Sequence, residues 1–334
     1  MGTIRNGIVR QGAYLLLILI LAACAPRVEG VGPVIAEPAI AADAFVMADG
    51  YRLPYQAEIP ENPRAVLIAL HGFNDYANAF TDAAAAWAHA GIAVYAYDQR
   101  GFGRTTGRGL WHGAAAMTAD LATVADLLRA RHPGVALVAL GESMGGAVLL
   151  AGQTDPGLPR PDIDRAVLSA PAVWGRAVMP WWQRWALDLF SNTMPWLEIA
   201  PRIRRTPSDN IDMLRALSRD PHFIRRTRVD AVHGLVALMD RAYAGVPDLG
   251  PDTLILYGLN EDILPDNVWR GAISRLTPGA GWRLALYDTG YHMLTRDLNA
   301  DRVIADIAAF TLDGAAPLPS GAEASASDLP QLVN

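Results

Sequence analysis

The run LVALGESMGGAVLLAG, from Leu137 to Gly152, constrains this chain more than any other. Its first part is apolar and unbroken, as in a strand buried on both faces, and its second part is small and helix-compatible. Between them stand Gly141, Glu142, Ser143, Met144 and Gly145. A serine between glycines, where a strand passes straight into a helix, implies a turn too tight for ordinary neighbours, because glycines remove the Cβ atoms that would collide. Such a turn presents its central side chain at the C-terminal end of the sheet, beside a helix N-terminus, where open α/β folds bind ligands.

The surrounding sequence supplies the sheet. AFVMADGYRLPYQAEI reads as a hairpin turning at Asp49-Gly50. AVLIAL, IAVYAYD, VALVAL, AVLSAP, TLILYG and WRLALYD are short apolar strands. Helical patterns lie among them: NAFTDAAAAWAHAG, MTADLATVADLLRARHPG, SMGGAVLLAGQ and a closing DRVIADIAAFTLDG. Continuous apolar strands separated by helices predict a mostly parallel, doubly wound sheet covered on both faces.

With 334 residues, 51% hydrophobic and 19% charged, the chain has ample material for one large core. Its net charge is −6, all 28 basic side chains are arginine, and no basic stripe is present, which argues against a nucleic-acid partner. Arg5, Arg10 and the apolar AYLLLILILAA form a signal-peptide pattern over residues 1–23, too short to span a bilayer comfortably. It ends in LAAC. Cys24 is the single cysteine, and the run resembles a bacterial lipobox whose cysteine is lipidated. The expectation is an exported lipoprotein held at a membrane through an N-terminal lipid anchor. Ala25 after the cysteine favours the outer membrane, on its periplasmic side or surface. Residues 24–43, rich in Ala, Pro and Gly, read as a tether, residues 44–313 as the folded domain, and 314–334 as a disordered tail.

A serine hydroxyl is a weak nucleophile unless a base takes its proton. In folds with this turn the chain order is nucleophile, acid, histidine. Of the seven histidines, only His292 in YDTGYHML directly follows the predicted final strand. The acid belongs after the penultimate strand, where GLNEDILP offers Glu261 and Asp262, with Asp288 as a remoter choice. An oxyanion formed by attack at Ser143 needs two backbone N–H donors. One is that of Met144. The loop LHGFNDY after the third strand supplies Phe73 as the other. No clustered His, Cys, Asp and Glu set has metal-ligand spacing, so neither metal nor organic cofactor is expected.

Together, LHGFNDY, VYAYDQRGFGRT, ALGESMGGAVLL, YGLNEDILP and GYHML resemble the monoacylglycerol lipase and lysophospholipase (serine-aminopeptidase-like) branch of the α/β-hydrolases over essentially all of residues 44–313. The resemblance implies an α/β-hydrolase fold with an inserted helical cap, at about residues 172–250, and hydrolysis of carboxylic esters with an apolar acyl chain. The branch's usual loop spacing is glycine, two residues, the acid, three residues, proline. Counted from Gly258 or back from Pro265, it points to Glu261 in preference to Asp262. Many relatives carry histidine before the nucleophile. Glu142 stands there in this chain and alters the charge behind the site.

The cap segment holds five of the nine tryptophans, between Trp174 and Trp196. An aromatic, methionine-bearing lid suits an acyl chain, and Trp181 and Trp182 are the candidate contacts, although some of the set must be the insertion's own core. A thioesterase or an aminopeptidase would use the same residues, the latter with an acidic anchor such as Glu142 for a free N-terminus. A hydrolase-shaped binding lipoprotein without turnover is the reading from another class.

Overall fold

The computed structural model describes residues 25–200 and 205–324. In chain order the strands are β1 (Ala39–Ile40), β2 (Ala44–Val46), β3 (Arg52–Glu58), β4 (Ala65–Leu70), β5 (Ile92–Tyr97), β6 (Ala136–Glu142), β7 (Arg165–Ser169), β8 (Glu198–Ile199), β9 (Thr227–Arg228), β10 (Thr253–Gly258) and β11 (Arg283–Tyr287). The helices are α1 (Thr81–His89), α2 (Ala114–Arg131), α3 (Met144–Thr154), α4 (Trp181–Thr193), α5 (Ile211–Arg219), α6 (Val229–Gly245), α7 (Asp266–Ile273) and α8 (Ala300–Leu312).

Among the described residues, nine strands form one sheet in the order β1-β2-β3-β5-β4-β6-β7-β10-β11. From β5 to β11 neighbouring strands run parallel, and β3 joins β5 antiparallel. Every residue of β4, β5 and β10 is buried, as two covered faces require. One face packs on α1 and α8, with Trp87 and Phe310 fully buried. The other packs on α2, α3 and α6 through Val124, Val148 and Met239. Each such apolar side chain stabilises the fold by about 1.5–3 kcal/mol relative to exposure.

The chain adds β5 on one side of β4 and then β6 on the other, so β4 and β6 bracket the point where the strand order reverses. Leu70 and Gly141 are register partners at their C-terminal ends. The crevice beyond such a reversal is the natural ligand site of an open α/β sheet.

Two boundaries differ from the sequence expectation. The tether is not free: the Glu29 N–H donates to Trp111 O at 2.9 Å, the Ile35 N–H donates to Ala48 O at 2.8 Å, and β1 pairs with β2. The C-terminal segment, over its described residues 314–324, packs back on the sheet. The Leu286 N–H donates to Ala322 O at 2.9 Å and the Ala324 N–H donates to Leu284 O at 2.8 Å, so this strap runs antiparallel along the sheet edge at β11. The Ser320 N–H reaches Asp306, and Leu318 is buried. In both cases unpaired edge or loop backbone recruits a segment whose composition alone suggests no structure. The insertion is also smaller than its sequence limits. Val236, Leu238, Met239 and Ala242 of α6 belong to the main core, and α6 packs on α3, which leaves α4, α5, β8 and β9 as the overlying part.

Candidate active site

Ser143 is the single residue between β6 and α3, with φ 53° and ψ −111°. A non-glycine residue there is strained, and strain of this kind persists only where the surroundings enforce it. The enforcement is visible in its neighbours. A Cβ on Gly141 would lie 2.4 Å from Gly145 O, and one on Gly145 would lie 2.2 Å from Leu70 O. Backbone bonds then fix the turn: the Ser143 N–H donates to Ser169 O at 2.9 Å, while Ser143 O accepts from Ala147 and Ala172.

Met144 opens α3, so its N–H has no acceptor within the helix. The loop after β4 lies against the same turn: a Cβ built on Gly72 would be 3.4 Å from Ser143 Cβ. Phe73 follows, its ring edge-on to Phe102 and Trp111 at 5.6 and 6.4 Å between centroids. His71 anchors this loop. Its Nε2 accepts the Gln99 N–H at 3.0 Å, which leaves the proton on Nδ1, 2.8 Å from Gly72 O. Burial pushes its pKa down, and it remains neutral.

His292 lies in the segment after β11 and Glu261 in the loop after β10. Glu261 Oε2 lies 2.6 Å from His292 Nδ1, and both side chains are buried. Glu261 Oε1 accepts the N–H groups of Ile263 and Leu264 at 2.7 and 3.0 Å. Burial alone would favour the neutral form of each. The charge and hydrogen bond of the partner prevail, so the Glu261 carboxyl is held below its ordinary value and the His292 imidazole above. Glu142 adds to the upward pull on His292 and Arg296 opposes it.

Asp262 turns away from His292. Its carboxylate binds Arg205 at 3.0 Å and the Thr206 N–H at 2.8 Å, both in the segment between β8 and α5. Asp288 is exposed and pairs with Arg302 at 2.8 Å. Trp181 and Trp182, which open α4, are 73% and 55% exposed. They do not line an enclosed cleft, whereas Trp174 packs against the core. Cys24 and residues 1–23, where the sequence predicts a signal peptide, lie outside the described residues.

Sequence reasoning missed a group behind the elbow. Arg296 joins Glu142 and Asp75, all three largely enclosed. The carboxylate of Glu142 is buried and needs a cation, and in a chain without lysine an arginine supplies it. The sequence signal was Glu142 itself.

Comparison with known proteins shows the family of this chain. The family model described as Hydrolase_4, serine aminopeptidase S33, matches residues 61–299. A monoacylglycerol lipase of Mycolicibacterium smegmatis is 31% identical over 248 residues, covering 72% of this chain and 81% of that protein. The human monoglyceride lipase is 25% identical, covering 76% and 84%. Among solved structures, a soluble variant of monoglyceride lipase from Saccharomyces cerevisiae, in complex with a substrate analog, superposes with a TM-score of 0.67 at 18% identity, covering 86% of this chain and 97% of that one.

Proposed function

Because the chain belongs to the serine aminopeptidase S33 family of α/β-hydrolases and is a serine ester hydrolase of the monoacylglycerol lipase-like branch, we propose that it cleaves monoacylglycerol- or lysophospholipid-type esters at a membrane surface. Ser143 is the nucleophile, His292 the base and Glu261 the acid. The observation that carries this reading is the 2.6 Å contact between His292 Nδ1 and Glu261 Oε2, in a fold that strains Ser143 into a half-buried turn at the same C-terminal end of the sheet.

Glu261 holds the proton of His292 on Nδ1, leaving Nε2 to take the Ser143 proton as Oγ attacks the ester carbonyl. The N–H groups of Phe73 and Met144 stabilise the oxyanion, a contribution of about 3–4 kcal/mol per donor in such sites. The imidazolium then protonates the leaving alcohol. Water, deprotonated by the same imidazole, releases the acid from the acyl-enzyme.

In this reading Cys24 carries the lipid that holds the exported protein at the membrane, the outer membrane being favoured. Among the described residues no helix is long and apolar enough to cross a bilayer. The exposed tryptophans of α4 suit a lipid-facing role better than an acyl-pocket role, because they are outward and amphipathic. One observation weighs against an aminopeptidase: Glu142, the natural anchor for a free amine, is buried and already bound to Arg296. An uncatalytic binding role is disfavoured by the strain kept at Ser143.

The test is a fluorophosphonate probe together with monoacylglycerols, lysophospholipids, thioesters and aminoacyl amides, assayed on wild type and Ser143→Ala. Labelling at Ser143 with turnover of the lipid esters supports the reading. Turnover confined to aminoacyl amides, or no labelling, overturns it. Cys24→Ser should release the protein from membrane fractions, and unchanged fractionation would remove the anchor from the proposal.

A further inference from the structure

Arg296 follows His292 by four residues, closing the short 3-10 turn Leu294–Arg296, and only 9% of its side chain is exposed. Its Nη1 donates to Asp75 Oδ2 at 2.7 Å, and its Nη2 donates to Glu142 Oε1 at 2.7 Å. These carboxylates belong to two other segments. Glu142 ends β6 and immediately precedes Ser143. Asp75 closes the turn after β4, with its N–H donating to Gly72 O at 3.2 Å and its Oδ1 accepting the Tyr76 N–H at 2.9 Å. A single guanidinium thus joins the segments that carry the base, the nucleophile and an oxyanion donor.

We infer that Arg296 is a positioning residue that fixes the His292 loop against the Ser143 strand and the Phe73 turn, so that all three groups converge on one carbonyl carbon. The inference rests on the triad reading above. The side-chain chemistry supports it. A planar fork reaches two carboxylates in fixed directions, whereas an ammonium is a point charge on a flexible stem. Glu142 and Asp75 are both nearly fully buried, and without a cation each would be an unpaired charge. Removing the fork therefore frees three loops at once.

The cluster also acts on the base through charge. Glu142 favours the protonated form of His292, and Arg296 opposes it. The other charged groups facing the cluster are Glu261 on His292, Asp297 next to Arg296, and Asp98 beyond the neutral His71. Asp297 is itself raised by burial to about 6, which keeps part of its charge off in the acidic range.

The experiment uses the full-length protein and a soluble p-nitrophenyl ester. It measures kcat, KM and the acid limb of kcat/KM for wild type, Arg296→Lys, Arg296→Met and Glu142→Gln, with the folded state checked by circular dichroism. We expect Arg296→Met to lower kcat about 100-fold, because displacement by about an ångström costs that much. Arg296→Lys should recover part of the loss, and KM should stay within about twofold, since ester binding itself is untouched. Glu142→Gln should move the acid limb to lower pH. A folded Arg296→Met variant with wild-type kcat overturns the inference, as does a loss that falls on KM alone. If Arg296→Met does not fold, Arg296→Lys and Glu142→Gln decide: an intermediate kcat and a lowered limb support positioning, and wild-type values in both overturn it. Ser143→Ala is the separating control. If it keeps activity, the triad reading falls and this inference falls with it. If it is inactive while the Arg296 variants match wild type, only the positioning role is lost.

Discussion

Glu261 and Asp262 are adjacent in the chain yet serve different partners: Glu261 Oε2 lies 2.6 Å from His292 Nδ1, whereas Asp262 faces outward onto Arg205 and Thr206. The amide variants should separate them. Glu261→Gln removes the charge that stabilises the imidazolium and inverts the hydrogen-bond demand on Nδ1, so kcat should fall by about 10³–10⁴-fold. Asp262→Asn loses one partly exposed ion pair, worth at most about 1 kcal/mol, and kcat should change little. Steady-state kinetics on a soluble ester checks both, and the reverse ranking would move the acid to Asp262.

The pH profile follows from the same contact. In the proposed mechanism neutral His292 is the base, and its pKa is held above the ordinary 6.5, with burial overcome chiefly by Glu261. The rise of kcat/KM with pH should therefore centre above 6.5 in wild type and move down in Glu261→Gln. The stability contributions have fixed signs. The depressed Glu261 stabilises the fold above its unfolded pKa of 4.5 and loses that contribution as pH falls through its lower folded value. The raised His292 stabilises below 6.5 and loses its contribution as pH rises through its higher folded value. Urea melts across pH should show the wild-type advantage over Glu261→Gln to be greatest between these two values.

Glycine-to-alanine changes at two helical positions should have opposite effects. A methyl on Gly145 meets Leu70 O at 2.2 Å, so Gly145→Ala should cost about 3 kcal/mol or more, or prevent folding. Gly271 in α7 has open space around the same position, and Gly271→Ala should stabilise by about 0.5–1 kcal/mol. Thermal melts of the two variants decide the matter. A tolerated Gly145→Ala would mean that the elbow has room to relax.

Trp181, Trp182 and Trp185 are 73%, 55% and 63% exposed on α4. Replacing all three by serine should leave stability within about 0.5 kcal/mol per site and leave turnover of soluble esters intact, because no core contact is removed. Hydrolysis of monoacylglycerol presented in anionic vesicles should fall several-fold. Equal losses on vesicle and soluble substrates would assign the tryptophans to the structure of the overlying helices instead.

Much of this architecture was legible because its signals are local. The strand-glycine-serine-glycine-helix pattern around Ser143 needs no distant information, nor does the position of His292 after the last strand. Glu261 over Asp262 was legible only through loop spacing, since two neighbouring carboxylates look alike until their backbone directions are known. Arg296 was illegible for a different reason. Its partners Asp75 and Glu142 are 221 and 154 residues away, and nothing in TRDLN distinguishes a buried arginine from a solvated one. The tether and strap were misread because composition reports what a segment prefers alone, whereas a neighbouring sheet edge supplies hydrogen bonds that the segment cannot provide for itself.

That strap has a consequence for how molecules of this protein meet. The outer margin of β11 would otherwise present Leu284 O and Leu286 N–H to any extended chain able to align with them, and the strap between Leu318 and Ala324 already holds both. Strand exchange between copies is thereby blocked at that margin by the molecule's own C-terminal strap. Shortening the chain to Asp313 would leave every fold-forming helix in place yet turn a self-sealed rim into an adhesive one, so a truncated enzyme would be active when fresh and prone to form aggregates on standing.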